Sequence, residues 1–202
     1  MAAAPTTLIV FGGSFSPPHT AHVAVAEAAL DAVENGAENG RVLWMPAATP
    51  PHKQDDANLI SAEHRLAMVR LATAGNSRFE VSDLEILRGD VSYTVDTLRA
   101  LKEEHSETEL ALLIGGDSLT EFATWREPEA ILELAQLMVY ERLGATRESV
   151  PEWIVERTMF LDAPPLDVSS TALRASLRSG RSVRDLVPDN VLAYIEEHGM
   201  YG

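Results

Sequence analysis

The residues of this chain best suited to do chemistry stand together near its start, in the stretch FGGSFSPPHTAH from Phe11 to His22. Gly12 and Gly13 let a backbone come close to a ligand with no Cβ in the way, and with Ser14 and Phe15 they supply main-chain amides. His19 and His22 are three residues apart, a spacing that brings two imidazoles to one side of the first turn of a helix. A helix N-terminus attracts anions and imidazoles donate hydrogen bonds, so together these residue types can hold a phosphate. Thr20 is placed to cap that helix. Neither the Gly-Lys-Ser phosphate loop nor the Gly-x-Gly-x-x-Gly dinucleotide fingerprint is present, so the arrangement is a separate one.

Two further stretches could share the work. In DVSSTALR, Ser169 and Ser170 read as a helix start, and Arg174 follows Ser170 by four residues, on the side of its hydroxyl. Amides, hydroxyl and guanidinium there could clamp phosphate oxygens, or serve as a serine cap beside a solvated arginine. In LLIGGDS, Gly115, Gly116 and Asp117 follow an apolar run. There a backbone can approach a nucleoside and a carboxylate can accept from ribose hydroxyls, or cap a helix. His64, His105 and His198 lack a chemical partner in the sequence and read as structural; no metal cluster is indicated.

The elements that must position these groups are legible as alternation. Short apolar runs, TLIVF from Thr7, RVLWM from Arg41, RFEVS from Arg78, ELALLI from Glu109, QLMVY from Gln136 and TMFLD from Thr158, read as strands. Between them lie helical stripes: Val23, Ala26, Leu30 and Val33; Leu66, Val69 and Ala72; Val95, Leu98 and Leu101; Ile131, Leu134 and Ala135. Strands that are continuously apolar imply an α/β fold, a parallel sheet with helices on both faces. Ligands then sit beyond the carboxyl ends of the strands, where both glycine pairs fall. Two helices, from about residue 169, close the chain before Gly180 and Gly199, and residues 1–202 read as one domain. ENGAENG near Asn35 and RLGATRESVPE from Arg142 read as exposed loops.

Composition sets limits. Of 202 residues 46% are hydrophobic, enough for a full core, and there is no cysteine to form a disulfide or a thiolate nucleophile. A formal net charge of -15 argues against nucleic acid as a partner and requires any positive charge that meets an anion to be local. No apolar stretch is long enough for a membrane span and no basic segment precedes the first apolar run, so a cytoplasmic location is expected.

GGSFSPPHTAH resembles the Gly-Gly-x-Phe-Asp-Pro-x-His-x-Gly-His signature of the nucleotidyltransferase superfamily, and VSSTALR its second signature, Ser-Ser-Thr-x-Ile-Arg. ATPPHK from Ala48, VSYTVDTL from Val91, LLIGGDSL from Leu112 and FATWREPEAILELA from Phe122 are similar to segments of bacterial nicotinate-nucleotide adenylyltransferases, so the resemblance runs nearly end to end. It implies a Rossmann-like sheet of nucleotidyltransferase type. It also implies attack by the 5′-phosphate of nicotinate mononucleotide on the α-phosphorus of ATP, with Mg2+ bound mainly through the ATP phosphates and no metal ligands assigned in the chain. By the same resemblance His19, His22 and Arg174 are catalytic, and Gly12, Gly13, Ser14, Phe15, Gly115, Asp117, Ser169 and Ser170 bind ATP. Trp125 would stack on the nicotinate ring while Tyr93 and Thr94 bind its carboxylate. Arg126 would favour that carboxylate over an amide, and His52 and Lys53 would reach the mononucleotide phosphate. Ser16 stands where the family usually has Asp, and Ala21 where it usually has Gly. Two other readings are a relative acting on nicotinamide mononucleotide or phosphopantetheine, and a non-catalytic nucleotide-binding module. The oligomeric state is not legible.

Overall fold

The computed structural model describes residues 7–33, 40–50, 59–140, 149–161 and 168–202. Six strands form one parallel sheet: β1 (Thr7–Gly13), β2 (Gly40–Pro46), β3 (Phe79–Val81), β4 (Glu109–Gly115), β5 (Gln136–Tyr140) and β6 (Thr158–Leu161). Each coincides with an apolar run of the sequence. The four inner strands are mostly buried because a strand covered on both faces has no polar side to show, whereas the edge strands β3 and β6 bury one residue each. The order β3-β2-β1-β4-β5-β6 reverses direction between β1 and β4, and that reversal opens a crevice at their carboxyl ends. Gly13 ends one of these strands and Gly115 the other.

Alternate residues of β1 feed two cores. Ile9 and Phe11 face a layer containing α1 (Thr20–Ala32) and Val69 of α2 (Ala62–Thr73). Leu8 and Val10 face α4 (Thr94–Glu104) and α6 (Pro128–Leu134), with Leu119 of α5 (Gly116–Glu121) and Ile154 of α7 (Glu152–Val155). The short α3 (Leu84–Arg88) ends at Gly89, whose φ of 75° is left-handed and suits glycine. The two closing helices are α8 (Ser170–Arg178) and α9 (Asp189–Glu197). They do not lie on the sheet; Leu173, Val191 and Ile195 build a third core with Met68 of α2 and Ala21 of α1.

The face of α2 differs from the expected stripe. Arg65, Met68, Val69 and Thr73 are buried, whereas Leu66 and Ala72 are only half-buried. The reason is that α2 lies between the sheet and α9, so two neighbours rather than one choose its inner surface. Among the described residues no helix is long and apolar enough to cross a membrane.

Candidate active site

The glycine-histidine stretch leaves β1 and turns into α1 at the crevice. α1 starts at Thr20, and its N-cap position is His19, with extended φ and ψ of -144° and 170°. Thr20 is therefore not the cap; its hydroxyl donates to the carbonyl of Leu186 and ties the helix start to the C-terminal region. The His19 N–H donates to His22 Nδ1 at 3.2 Å, and the two rings stack with centroids 3.6 Å apart. His19 is buried and His22 half-buried.

The two glycines do different things. A Cβ on Gly12 would meet nothing within 4 Å, so this backbone stands open to the crevice. A Cβ on Gly13 would lie 3.1 Å from the nearest ring carbon of Phe15. Gly13 thus makes room for a ring, while its backbone also lines the crevice. Phe15 folds back over β1 with φ of 46°, a left-handed value rare for a bulky residue, and packs on Phe11, Trp44 and His22.

Two adjoining recesses occupy the crevice. One, a cavity of about 360 Å³, is lined by Phe15, His19, His22, Gly115, Asp117 and Ser170 among others. The other, about 310 Å³, is walled by Tyr93, Thr94, Trp125, Arg126 and Glu85 among others. Gly12, Ser14, Ile114 and Ser118 line both, so the recesses meet at the ends of β1 and β4.

The second recess is shaped by α4 and by the segment before α6. Tyr93 is the N-cap residue of α4 and Thr94 its first residue. The Nε1 of Trp125 is buried without a hydrogen-bond partner among the described residues. Next to it, Arg126 places its guanidinium 4.8 Å over the Tyr93 ring and pairs with Asp96 at 3.4 Å, so part of its charge is already answered. Glu127 takes a left-handed φ of 53° and is held by both nitrogens of the Arg99 fork, which anchors the Trp125–Glu127 turn.

The second signature lies against the first. Ser169 Oγ accepts from the Ala172 N–H at 3.2 Å and caps α8. Ser170 Oγ donates to the Pro17 carbonyl at 3.1 Å, and Arg174 donates to the Ser16 carbonyl at 2.9 Å. Arg174 thus holds the glycine-histidine loop from behind. Ser16, at the position of the usual Asp, hydrogen-bonds through Oγ to the buried Tyr201 hydroxyl at 3.0 Å. The methyl of Ala21 packs into the third core and lines the histidine recess.

Two residues escaped the sequence reading. Glu85 brings a buried carboxyl to a crevice where any bound anion needs local positive charge; it accepts from Thr97 Oγ1 at 2.6 Å, and burial holds its pKa above the ordinary carboxylate range. Arg65 is buried under both loops of the site. Helix periodicity alone signals neither, since a charged residue is read as solvent-facing by default. His64 donates to or accepts from the Tyr194 hydroxyl at 2.9 Å, in the contact between α2 and α9. His52 and Lys53 lie outside the described residues, as do residues 34–39 and 142–148 of the two expected exposed loops. The described ends of those loops belong to the fold instead, Gly40 beginning β2, Val150 buried in the core and Glu152 beginning α7, because each packs where a chain turns back onto the sheet.

The cytidylyltransferase-like family model matches residues 10–176. A curated protein of Salinibacter ruber named "Probable nicotinate-nucleotide adenylyltransferase" is 45% identical over 96% of this chain and 97% of its own length. The chain belongs to the nicotinate-nucleotide adenylyltransferase family. A second member carrying the same name, from Enterococcus faecalis, is 38% identical over 95% of this chain and 83% of its own. The fold of this family member is also that of the nicotinic acid mononucleotide adenylyltransferase of Plasmodium falciparum. The structure of that enzyme complexed with NaAD superposes with a TM-score of 0.76 at 21% identity, covering 97% of both chains.

Proposed function

We propose that the chain transfers the adenylyl group of ATP to nicotinate mononucleotide, releasing pyrophosphate and giving nicotinate adenine dinucleotide, a step of NAD biosynthesis. The observation that carries this reading is the pair of recesses meeting over Gly12 and Ser14, since transfer between two bound anions needs two sites that open on one point. ATP takes the histidine recess, its phosphates over Gly12–Phe15 and its ribose toward Asp117. The acceptor takes the other recess, its ring on Trp125 and its carboxylate toward Thr94, the Tyr93 amide and Arg126.

The acceptor phosphate is already an anion, so no side chain has to serve as nucleophile. One of its oxygens attacks the α-phosphorus, the bond to the bridging oxygen breaks, and pyrophosphate leaves with the electron pair. The protein aligns the partners and answers charge on the α-phosphoryl oxygens. Because His22 Nδ1 accepts from the His19 N–H, its proton sits on Nε2, the nitrogen that donates to the α-phosphate. Stacking on His19 fixes the ring plane. Arg174 acts through the Ser16 carbonyl, and β- and γ-phosphates draw on the α8 N-terminus beside Ser169 and Ser170.

Among the described residues no group of three or more His, Cys, Asp or Glu side chains is placed to hold a metal. We assign no side chain to Mg2+, whose ligands would be mainly phosphate oxygens and water. When bound with ATP, Mg2+ would neutralise part of the triphosphate charge.

The test is pyrophosphate release by purified protein with ATP and Mg2+, offering nicotinate and nicotinamide mononucleotides in parallel, with His22→Ala as control. Release with the nicotinate acceptor, lost in the variant, is expected. Release with neither acceptor would refute the reading. Arg126→Ala should narrow the preference between the two acceptors, and an unchanged preference would remove Arg126 from specificity.

A further inference from the structure

Arg65 is 1% exposed and makes no ion pair among the described residues. Burying a guanidinium is costly unless its donors are met, and here three carbonyls accept from three of its five N–H groups, one at each nitrogen. Nε donates to Ile60 O at 2.9 Å, Nη1 to Ser14 O at 3.1 Å and Nη2 to Ala48 O at 2.9 Å. Ser14 belongs to the loop after β1 and Ala48 to the loop after β2, so one planar group spans both connections that line the crevice.

The contacts to Ser14 and Ala48 each have a consequence one bond further on. The Ser14–Phe15 peptide is trans, so its N–H points away from its carbonyl and hence away from Arg65. Phe15 lines the histidine recess, and its N–H has no partner among the described residues. At Ala48 the carbonyl goes to Arg65 while the N–H donates to Ser92 Oγ at 3.1 Å, immediately before Tyr93 and Thr94. A continuous set of hydrogen bonds thus runs from the triphosphate side of the crevice to the acceptor side.

We propose that Arg65 is the positioning residue of the two-substrate site: it aims the Phe15 N–H at the triphosphate and sets the spacing between the loop after β1 and the Ser92–Thr94 segment. The proposal rests on the nucleotide assignment of the preceding subsection. Lysine at this position keeps the charge and loses the fork, so one ammonium cannot hold three carbonyls in the plane that the guanidinium spans.

In Arg65→Lys, ATP should bind on the order of tenfold more weakly, the loss of about one charge-assisted hydrogen bond, while adenosine binds as in the wild type. Turnover at saturation of both substrates should fall further than tenfold, because spacing acts on kcat and not only on KM. Calorimetric titration with ATP and with adenosine, alongside steady-state rates and a denaturation curve, reads all of these. Lowered stability with equal losses for ATP and adenosine and unchanged kcat per folded molecule would mean a structural role and overturn the proposal; so would wild-type affinity and rate. Should the variant not fold, the wild-type Phe15 amide is followed by nuclear magnetic resonance. A shift with ATP and none with adenosine supports the proposal, and an amide unmoved at ATP saturation overturns it. No ATP binding by the wild type would overturn the nucleotide assignment, and this proposal with it.

Discussion

Gly12 and Gly13 are adjacent, yet alanine at each should fail differently. At Gly13 a methyl would lie 3.1, 3.2 and 3.3 Å from three carbons of the Phe15 ring, closer than carbon atoms pack at contact. The ring cannot retreat. It is 2% exposed, with the Phe11, Trp44 and His22 rings at centroid distances of 5.4, 5.3 and 5.2 Å. Overpacking of this kind costs about 1–3 kcal/mol, which for a domain of this size lowers Tm by roughly 2–4 °C per kcal/mol. Because Phe15 packs on His22, the displaced ring should also reduce kcat per folded molecule. At Gly12 the same methyl meets nothing within 4 Å, so stability should stay within about 1 kcal/mol of wild type, on the stabilising side. The methyl instead enters the space shared by the two recesses, and ATP affinity falls. Urea denaturation of both variants, with ATP titration of each, separates the two effects. Equal destabilisation by the two substitutions, or wild-type ATP affinity in Gly12→Ala, would refute the reasoning.

Three further outcomes are expected. Tyr201→Phe leaves buried Ser16 Oγ without its partner and should cost about 1–3 kcal/mol; a denaturation midpoint equal to wild type would show the contact to be idle. Burial raises the Glu85 pKa in the folded chain, so the native state holds that proton more tightly than the unfolded one. Its contribution to stability is full below the ordinary carboxylate pKa and is lost as pH rises through the raised value. Stability of wild type relative to Glu85→Gln should therefore fall across that window in urea melts, and a constant difference, or one growing in favour of wild type, would contradict the sign. Trp125→Phe removes an indole N–H that has no partner among the described residues, so ATP affinity should be kept while KM for the mononucleotide rises; a matching loss of ATP affinity would place Trp125 outside the acceptor recess.

The six strands, the parallel sheet they imply and the glycine-histidine loop at the carboxyl edge were legible because the runs and motif that mark them are local, whereas the strand order was not. Continuous runs such as TLIVF and ELALLI carry both faces of a covered sheet, and FGGSFSPPHTAH carries its turn and its imidazoles within one short stretch. The N-cap of α1, the ring behind Gly13, the partner of Ser16 and the burial of Arg65 were decided by tertiary structure. Thr20 meets Leu186, Ser16 meets Tyr201 and Arg65 meets Ser14, contacts separated by 166, 185 and 51 residues. Hydrophobic periodicity reports which face of a helix turns inward when one neighbour covers it. It is silent where a helix such as α2 is enclosed by two layers, and there backbone carbonyls brought in from other loops make a buried guanidinium affordable.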